Sequence, residues 1–286
     1  QVIESGQGLY RASHHKWEDM LPLDTVCAGL IDEIQAEKRK ALNGSANALA
    51  MDDNLNIRFT RDAKVGDKVI QLTRHRLLPS EQAFNQLANY IQKGRRLMPT
   101  GAATYLKPHP ELMPNGRIAR NVSEHLAEAP DGYSLKLRTR VRPDLDPGVR
   151  ELFAVAGPRY NTEADADKIA SLIIDKGIAG AKGVATYDGG KWSIELHYHS
   201  DLGAGESVVA GEVFSLVIEV MGADDRTAGL RVRCKLKRNL CLNFLIIGEA
   251  TIEEGYTTHA RKELAAWLSK KIDEATSRTA GFIEKW

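Results

Sequence analysis

The residues of this sequence best placed to do chemistry are eight cations on two alternating runs. In Lys136-Leu137-Arg138-Thr139-Arg140-Val141-Arg142 every even position is cationic, and in Arg231-Val232-Arg233-Cys234-Lys235-Leu236-Lys237 every odd one is. Strand side chains alternate between faces, so each run, if extended, carries four positive charges on one face. Leu135, Leu137, Thr139 and Val141 are then expected to face a core. Cations about 6.5 to 7 Å apart along a strand repel one another, and a polyanion laid against the row relieves that repulsion. The phosphates of a nucleic-acid backbone suit the row, which makes Lys136, Arg138, Arg140, Arg142, Arg231, Arg233, Lys235 and Lys237 the candidate nucleic-acid-binding residues. The alternative is that these faces are solvated, or covered by acidic residues of a neighbouring strand such as Glu195 or Glu219. Arg58, Arg61, Arg74, Arg76, Arg95 and Arg96 could extend a basic groove, and Tyr133, Tyr160 and Tyr187 are candidate base-stacking platforms.

A second constellation lies between positions 191 and 201, where alternation places Glu195, His197, His199 and Asp201 on one strand face. Two imidazoles at i and i+2 beside carboxylates have the donor types of a divalent-metal site. The plainer reading is the polar outer face of a half-buried strand, and His14-His15 is less specific still. Phosphate-cradling, nucleophile-elbow and zinc-protease signatures are absent from the sequence, and the glycines at 180–183 and 203–205 lack a dinucleotide-binding fingerprint. Cys241, between apolar neighbours, reads as a buried residue rather than a nucleophile. A non-enzymatic binding protein without a nucleotide cofactor is expected.

The elements that position these residues are read from periodicity. A helix is expected over 22–42, with Val26, Leu30, Ile31 and Ile34 inward and Asn43-Gly44-Ser45 ending it. Strand-like runs at 55–59 and 68–73 suggest a hairpin, and Pro79-Ser80-Glu81 opens a second helix with Ala83, Phe84, Leu87, Tyr90 and Ile91 at helical spacing. A helix over 117–127 precedes a change of texture at 129–132. From there alternating runs cover 133–142, 151–156, 184–187, 191–200, 213–221 and 229–238, interrupted by a helix at 163–176 and closed by one from 258 to the end. Asp188-Gly189-Gly190 reads as a tight hairpin turn. The expected fold class is α+β, a largely antiparallel twisted sheet with basic-faced strands flanked by helices. Three regions are expected: a mixed helical and hairpin region at 1–130, an antiparallel sheet core with one inserted helix at 131–256, and a C-terminal helix at 257–286.

The 286 residues hold 39 Lys plus Arg against 38 Asp plus Glu, so the net charge of +1 points to no partner, and only the placement of charge is informative. Three cysteines without metal or redox spacing favour a reducing compartment. Residues 1–10 show neither a basic nor an apolar leader segment, and no apolar run reaches the ~20 residues of a membrane span. With Gln1 first and Trp286 inside a helical pattern, the sequence reads as a piece of a longer chain.

Several segments resemble the phage/plasmid-like protein family of unknown function. They are Gly8-Leu9-Tyr10-Arg11-Ala12-Ser13, Ser80-Glu81-Gln82-Ala83-Phe84-Asn85-Gln86-Leu87-Ala88 and Leu152-Phe153-Ala154-Val155-Ala156-Gly157-Pro158-Arg159-Tyr160. Gly229-Leu230-Arg231-Val232-Arg233-Cys234 and Arg238-Asn239-Leu240-Cys241-Leu242-Asn243 look like the second half of that family. The resemblance implies phage, prophage or plasmid origin and a bacterial cytoplasm, and supplies no catalytic residue. The order of hairpin, helix and basic antiparallel strands is similar to that of phage single-strand annealing recombinases of the Redβ, RecT and Erf types. That likeness implies a homo-oligomeric ring or filament that binds single-stranded DNA without a nucleotide cofactor. The rival readings are a metal-dependent nucleic-acid-processing enzyme using Glu195, His197 and His199, and a phage structural or assembly protein.

Overall fold

A computed structural model describes residues 20–65, 68–93, 115–129, 133–157, 160, 162–178, 180–199, 213–240, 245–257 and 263–283. The chain opens with the two-residue strand β1 (Leu21–Pro22) and helix α1 (Leu23–Ala36). Pro22 fixes the backbone at the helix start, and Leu23, Cys27, Leu30 and Ile34 form its buried stripe. Contrary to the expectation of a helix to residue 42, the chain turns out of α1 through Lys38, which takes a left-handed φ of 46°, and becomes strand β2 (Lys40–Ser45). Gly44 is therefore no helix stop. It lies beneath Phe59, where a Cβ would come within 2.4 Å of Cε1.

Short strands β3 (Leu49–Met51) and β4 (Ile57–Phe59) pair with each other, while β5 (Ala63–Val65) and β6 (Lys68–Ile70) form a separate hairpin. The hairpin expected between 55–59 and 68–73 is thus replaced. The partner of β4 is β7 (Arg76–Pro79), because Ile57 and Leu77 face the same core. Helix α2 (Glu81–Lys93) begins where Ser80 Oγ accepts the Ala83 N–H at 3.2 Å. Helix α3 (Asn115–Ala127) follows, then β8 (Ser134–Arg140) and β9 (Val149–Ala156). Next come helix α4 (Ala166–Lys176) and strands β10 (Lys182–Asp188), β11 (Lys191–His199), β12 (Val213–Ala223), β13 (Leu230–Leu240) and β14 (Leu245–Thr257). Helix α5 (Leu264–Ile283) is the last described element.

The fold class is α+β with largely antiparallel sheets, as the sequence suggested, but there are two sheets. The first has the order β1-β10-β11-β12-β13-β14, and one face packs Trp192, Ile194, Leu196, Ile218, Val220 and Val232 against α1, α4 and α5. Each such side chain contributes on the order of 1.5–3 kcal/mol by leaving water. The second has the order β2-β8-β9-β7-β4-β3, antiparallel except for the parallel pair β7–β9. Its core face packs Leu42, Ile57, Leu77, Leu135, Leu137 and Leu152 against α2 and α3. The boundary expected at 129–132 does not separate two units, since β8 and β9 sit in the middle of the second sheet between β2 and β7. The change of texture marks a switch to longer strands, and the chain begins in the first sheet, builds the second and returns. No helix among the described residues is long and apolar enough to cross a membrane.

Candidate nucleic-acid interface

The structure moves two of the eight candidate cations indoors. Arg138 is 5% and Arg140 8% exposed, because the face of β8 that was expected to meet a polyanion is pressed against the turns of the first sheet. Arg138 donates through Nη1 to Tyr160 Oη at 2.8 Å and to the Asp224 carbonyl at 2.5 Å, and its Nη2 pairs with Asp165 Oδ2 at 2.5 Å. Arg140 pairs with Glu151 at 2.5 Å and Glu37 at 3.0 Å, and donates to the Gly189 carbonyl at 2.9 Å. Arg39, at the exit from α1, pairs with Glu37 and Asp224 and donates to Tyr187 Oη. The three guanidinium carbons lie 5.0 to 5.5 Å from the centroid of the Phe153 ring, each over its negative π face.

This cluster joins the two sheets. Asp224, with no exposed surface, accepts from Trp192 Nε1 at 2.8 Å and from the first N–H of α4, that of Ala166, at 3.0 Å. A carboxylate at a helix N-terminus satisfies an orphan donor and opposes the positive end of the dipole. Asp165, at the N-cap of that helix, instead turns its side chain to Arg138 and Tyr160. Burial lifts the Asp165 carboxyl; Arg138 pulls it down and Asp224 pushes it up again, leaving it at about 7. Burial opposes the charge of Arg39, yet Asp224, Tyr187 and Glu37 outweigh it and raise its pKa. Burial also drives the Tyr160 and Tyr187 phenols above their usual range. Tyr160 and Tyr187 are therefore spent inside the joint and are not platforms for bases, and Tyr133 is half-buried beside Tyr90, with ring centroids 6.4 Å apart.

The remaining candidates divide. Lys136 donates to the Tyr160 carbonyl at 2.9 Å, and Arg142 is exposed but held by Asp144 at 2.7 Å. Arg231 and Arg233 are half-buried on the face of the first sheet opposite its helices. The register lines Glu195, Glu219, Arg233 and Glu254 across four strands and sets Lys237 beside Glu249. Acidic neighbours therefore flank the basic row of β13, the alternative left open by the sequence. The side chains of Lys235 and Lys237 lie outside the described residues, as do Arg95, Arg96, His14, His15 and Cys241. Of the candidate metal ligands, His197 Nε2 lies 2.9 Å from Glu195 Oε2 and is 4% exposed, while the His199 side chain and Asp201 are outside the described residues. Among the described residues no three His, Cys, Asp or Glu side chains gather as a metal site.

The topology assembles a different basic surface. At one end of the second sheet β2, β7 and β9 begin while β8 and β4 end. That end collects Lys40, Arg58, His75, Arg76 and Arg150. Arg58 stands directly opposite Arg76 in the β4–β7 register, a like-charge pairing, and Asp52 lies 3.3 Å from Arg58. Arg150 donates to Thr139 Oγ1 at 2.9 Å and to the Lys38 carbonyl at 2.5 Å. Burial lowers the His75 pKa, and the charges of Lys40 and Arg150 lower it further, which reports a positive local potential. Of the acids near this end, Asp144 is taken by Arg142 and Glu151 by Arg140. Among the described residues Lys40, Arg76 and Arg150 form no ion pair with a carboxylate. Sequence reading found Arg58 and Arg76 but not Lys40, His75 or Arg150, since their proximity depends on which strand ends coincide and leaves no local pattern.

Comparison of the chain with family models, with curated proteins and with solved structures gives no match.

Proposed function

We propose that this protein binds single-stranded nucleic acid non-covalently, holding phosphates on the basic end of the second sheet and leaving bases open for pairing. The observation that carries this reading is the gathering at one sheet end of Lys40, Arg76 and Arg150, without carboxylate partners among the described residues, near a His75 whose pKa is lowered by burial and further by Lys40 and Arg150. Like charges gathered at one sheet end repel one another in the free protein, and phosphate contact with release of counterions removes that cost. The role fits a phage-type annealing protein that works as a homo-oligomer without a nucleotide cofactor in a bacterial cytoplasm. Buried free Cys27 and Cys234 accord with a reducing compartment, and burial pushes the Cys27 thiol up to about 12, out of the reactive range.

The test is fluorescence anisotropy of a labelled single-stranded oligonucleotide at several salt concentrations, with duplex as competitor, followed by annealing of complementary strands. The expected result is binding that weakens linearly in log salt, preference for the single strand, and accelerated annealing. Self-association with no affinity for the oligonucleotide at low salt overturns the proposal in favour of an assembly role.

A further inference from the structure

We infer that the outer edge of β2 is a contact between two copies of this chain, paired strand to strand about a two-fold axis at Asn43. This gives the homo-oligomer proposed above its surface, and it rests on that part of the reading rather than on affinity for nucleic acid. The second sheet runs from β2 to β3, so these two strands are its edges. An edge presents a row of N–H and C=O groups that templates another strand unless it is covered. The β3 edge is covered: the Met51 N–H donates to Ser123 Oγ of α3 at 2.9 Å, and that hydroxyl donates to the Met51 carbonyl at 3.2 Å. No such cap reaches Ala41 or Asn43 of β2 among the described residues.

The register settles which groups of β2 face outward. The Ala46 N–H donates to the Tyr133 carbonyl at 2.8 Å. Two residues at a time back along the strand, Gly44, Leu42 and Lys40 stand opposite Leu135, Leu137 and Thr139 as the pairs that exchange bonds with β8. Ala41 and Asn43 therefore turn both backbone groups away from the sheet, and Ser45 turns its N–H. Ala41 and Asn43 are exposed, so this edge is open to solvent. The usual protections are missing from the strand: it has no proline, no bulge in its pairing with β8, and one charge, Lys40, at its first residue.

A copy of the same strand fits this edge. Antiparallel pairing centred on Asn43 lets the two Asn43 residues exchange backbone bonds and sets the Ser45 N–H of each copy against the Ala41 carbonyl of the other. The Asn43 side chains meet across the axis, where an amide both donates and accepts. Lys40 of each copy falls opposite Ala46 of the other, so the two positive strand ends point apart and no like charges meet. Because the β3 edge is capped, the contact is isologous and closes with two chains.

The full chain is measured without nucleic acid by sedimentation equilibrium, and circular dichroism checks the fold of each variant. The wild type is expected to weigh two chains. N43K and N43D, at an exposed position outside the core, each place like charges directly opposite at the axis and are expected to weigh one chain. An equal mixture of the two places opposite charges there and is expected to restore the pair. A wild type of one chain, a variant as associated as the wild type, or a mixture that stays apart overturns the contact. Oligonucleotide anisotropy on the same samples separates the two readings. A single-chain wild type that binds the oligonucleotide overturns the contact alone, whereas pairing that is lost in N43K, with no affinity in any sample, overturns phosphate binding alone.

Discussion

At the scale of single residues, three guanidiniums and four carboxylates are used up in joining two sheets. Arg39, Arg138 and Arg140 surround Phe153, and Glu37, Glu151, Asp165 and Asp224 surround them. Removing one member leaves its partner buried and uncompensated, so R138M should cost about 3–5 kcal/mol in urea unfolding. A loss below about 1 kcal/mol would mean that the joint contributes little to the fold. Charge reversal at Arg138 or Arg140 is therefore no test of nucleic-acid binding, because it attacks the fold first. Asp165 gives the joint a pH dependence. Its carboxyl is raised in the folded chain from 3.8 to about 7, so the folded state holds a proton that the unfolded state releases between those values. Its contribution is fully present below about pH 4 and is lost as pH rises through 7. Unfolding midpoints from pH 5.5 to 8 should fall in the wild type and fall less in D165N, which cannot ionise; parallel profiles would contradict this assignment. The sequence displayed these arginines plainly, yet alternation identifies a face without saying what covers it. Asp224 is 86 residues from Arg138, and no local pattern links them.

At the scale of elements, the joint depends on how close two strands and a ring can come. Gly222 of β12 lies directly across from Trp192 of β11, and a Cβ there would sit 2.7 Å from the indole ring. The ring must stay in place for its Nε1 to reach Asp224. G222A should therefore cost about 1–3 kcal/mol by overpacking and alter near-ultraviolet circular dichroism, which reports the tryptophan environment. An unchanged spectrum would show that the indole is not held this tightly. Most long elements were legible: α2, α4 and β8 to β13 fall within a few residues of the periodic runs, and the turn at Gly189-Gly190 takes positive φ at both residues. The short strands were not. Residues 40–45 continue the charged tail of α1 in sequence, and only pairing with β8 makes them extended. The partner of β4 is decided by Leu77, eighteen residues beyond the end of that strand, rather than by the nearest strand-like run.

At the scale of the whole molecule, charge that balances almost to zero is sorted by the topology into two kinds. Inside, cations meet carboxylates and hold the sheets together; at one end of the second sheet the starts of β2, β7 and β9 bring Lys40, Arg76 and Arg150 to the same edge. The sequence suggested nucleic acid as a partner from two basic runs, while the sheet end on which the present proposal rests became visible only once the strand ends were aligned. The most direct test compares the salt dependence of single-stranded DNA binding for the wild type, K40A/R76A and R231A/R233A, each checked for folding by circular dichroism. Each lost phosphate contact lowers the slope of log affinity against log salt by about 0.7, so K40A/R76A should lower it by about 1.4 while R231A/R233A leaves it nearly unchanged. The opposite pattern, a slope preserved in K40A/R76A and reduced in R231A/R233A, would place the interface on β13 and contradict this account.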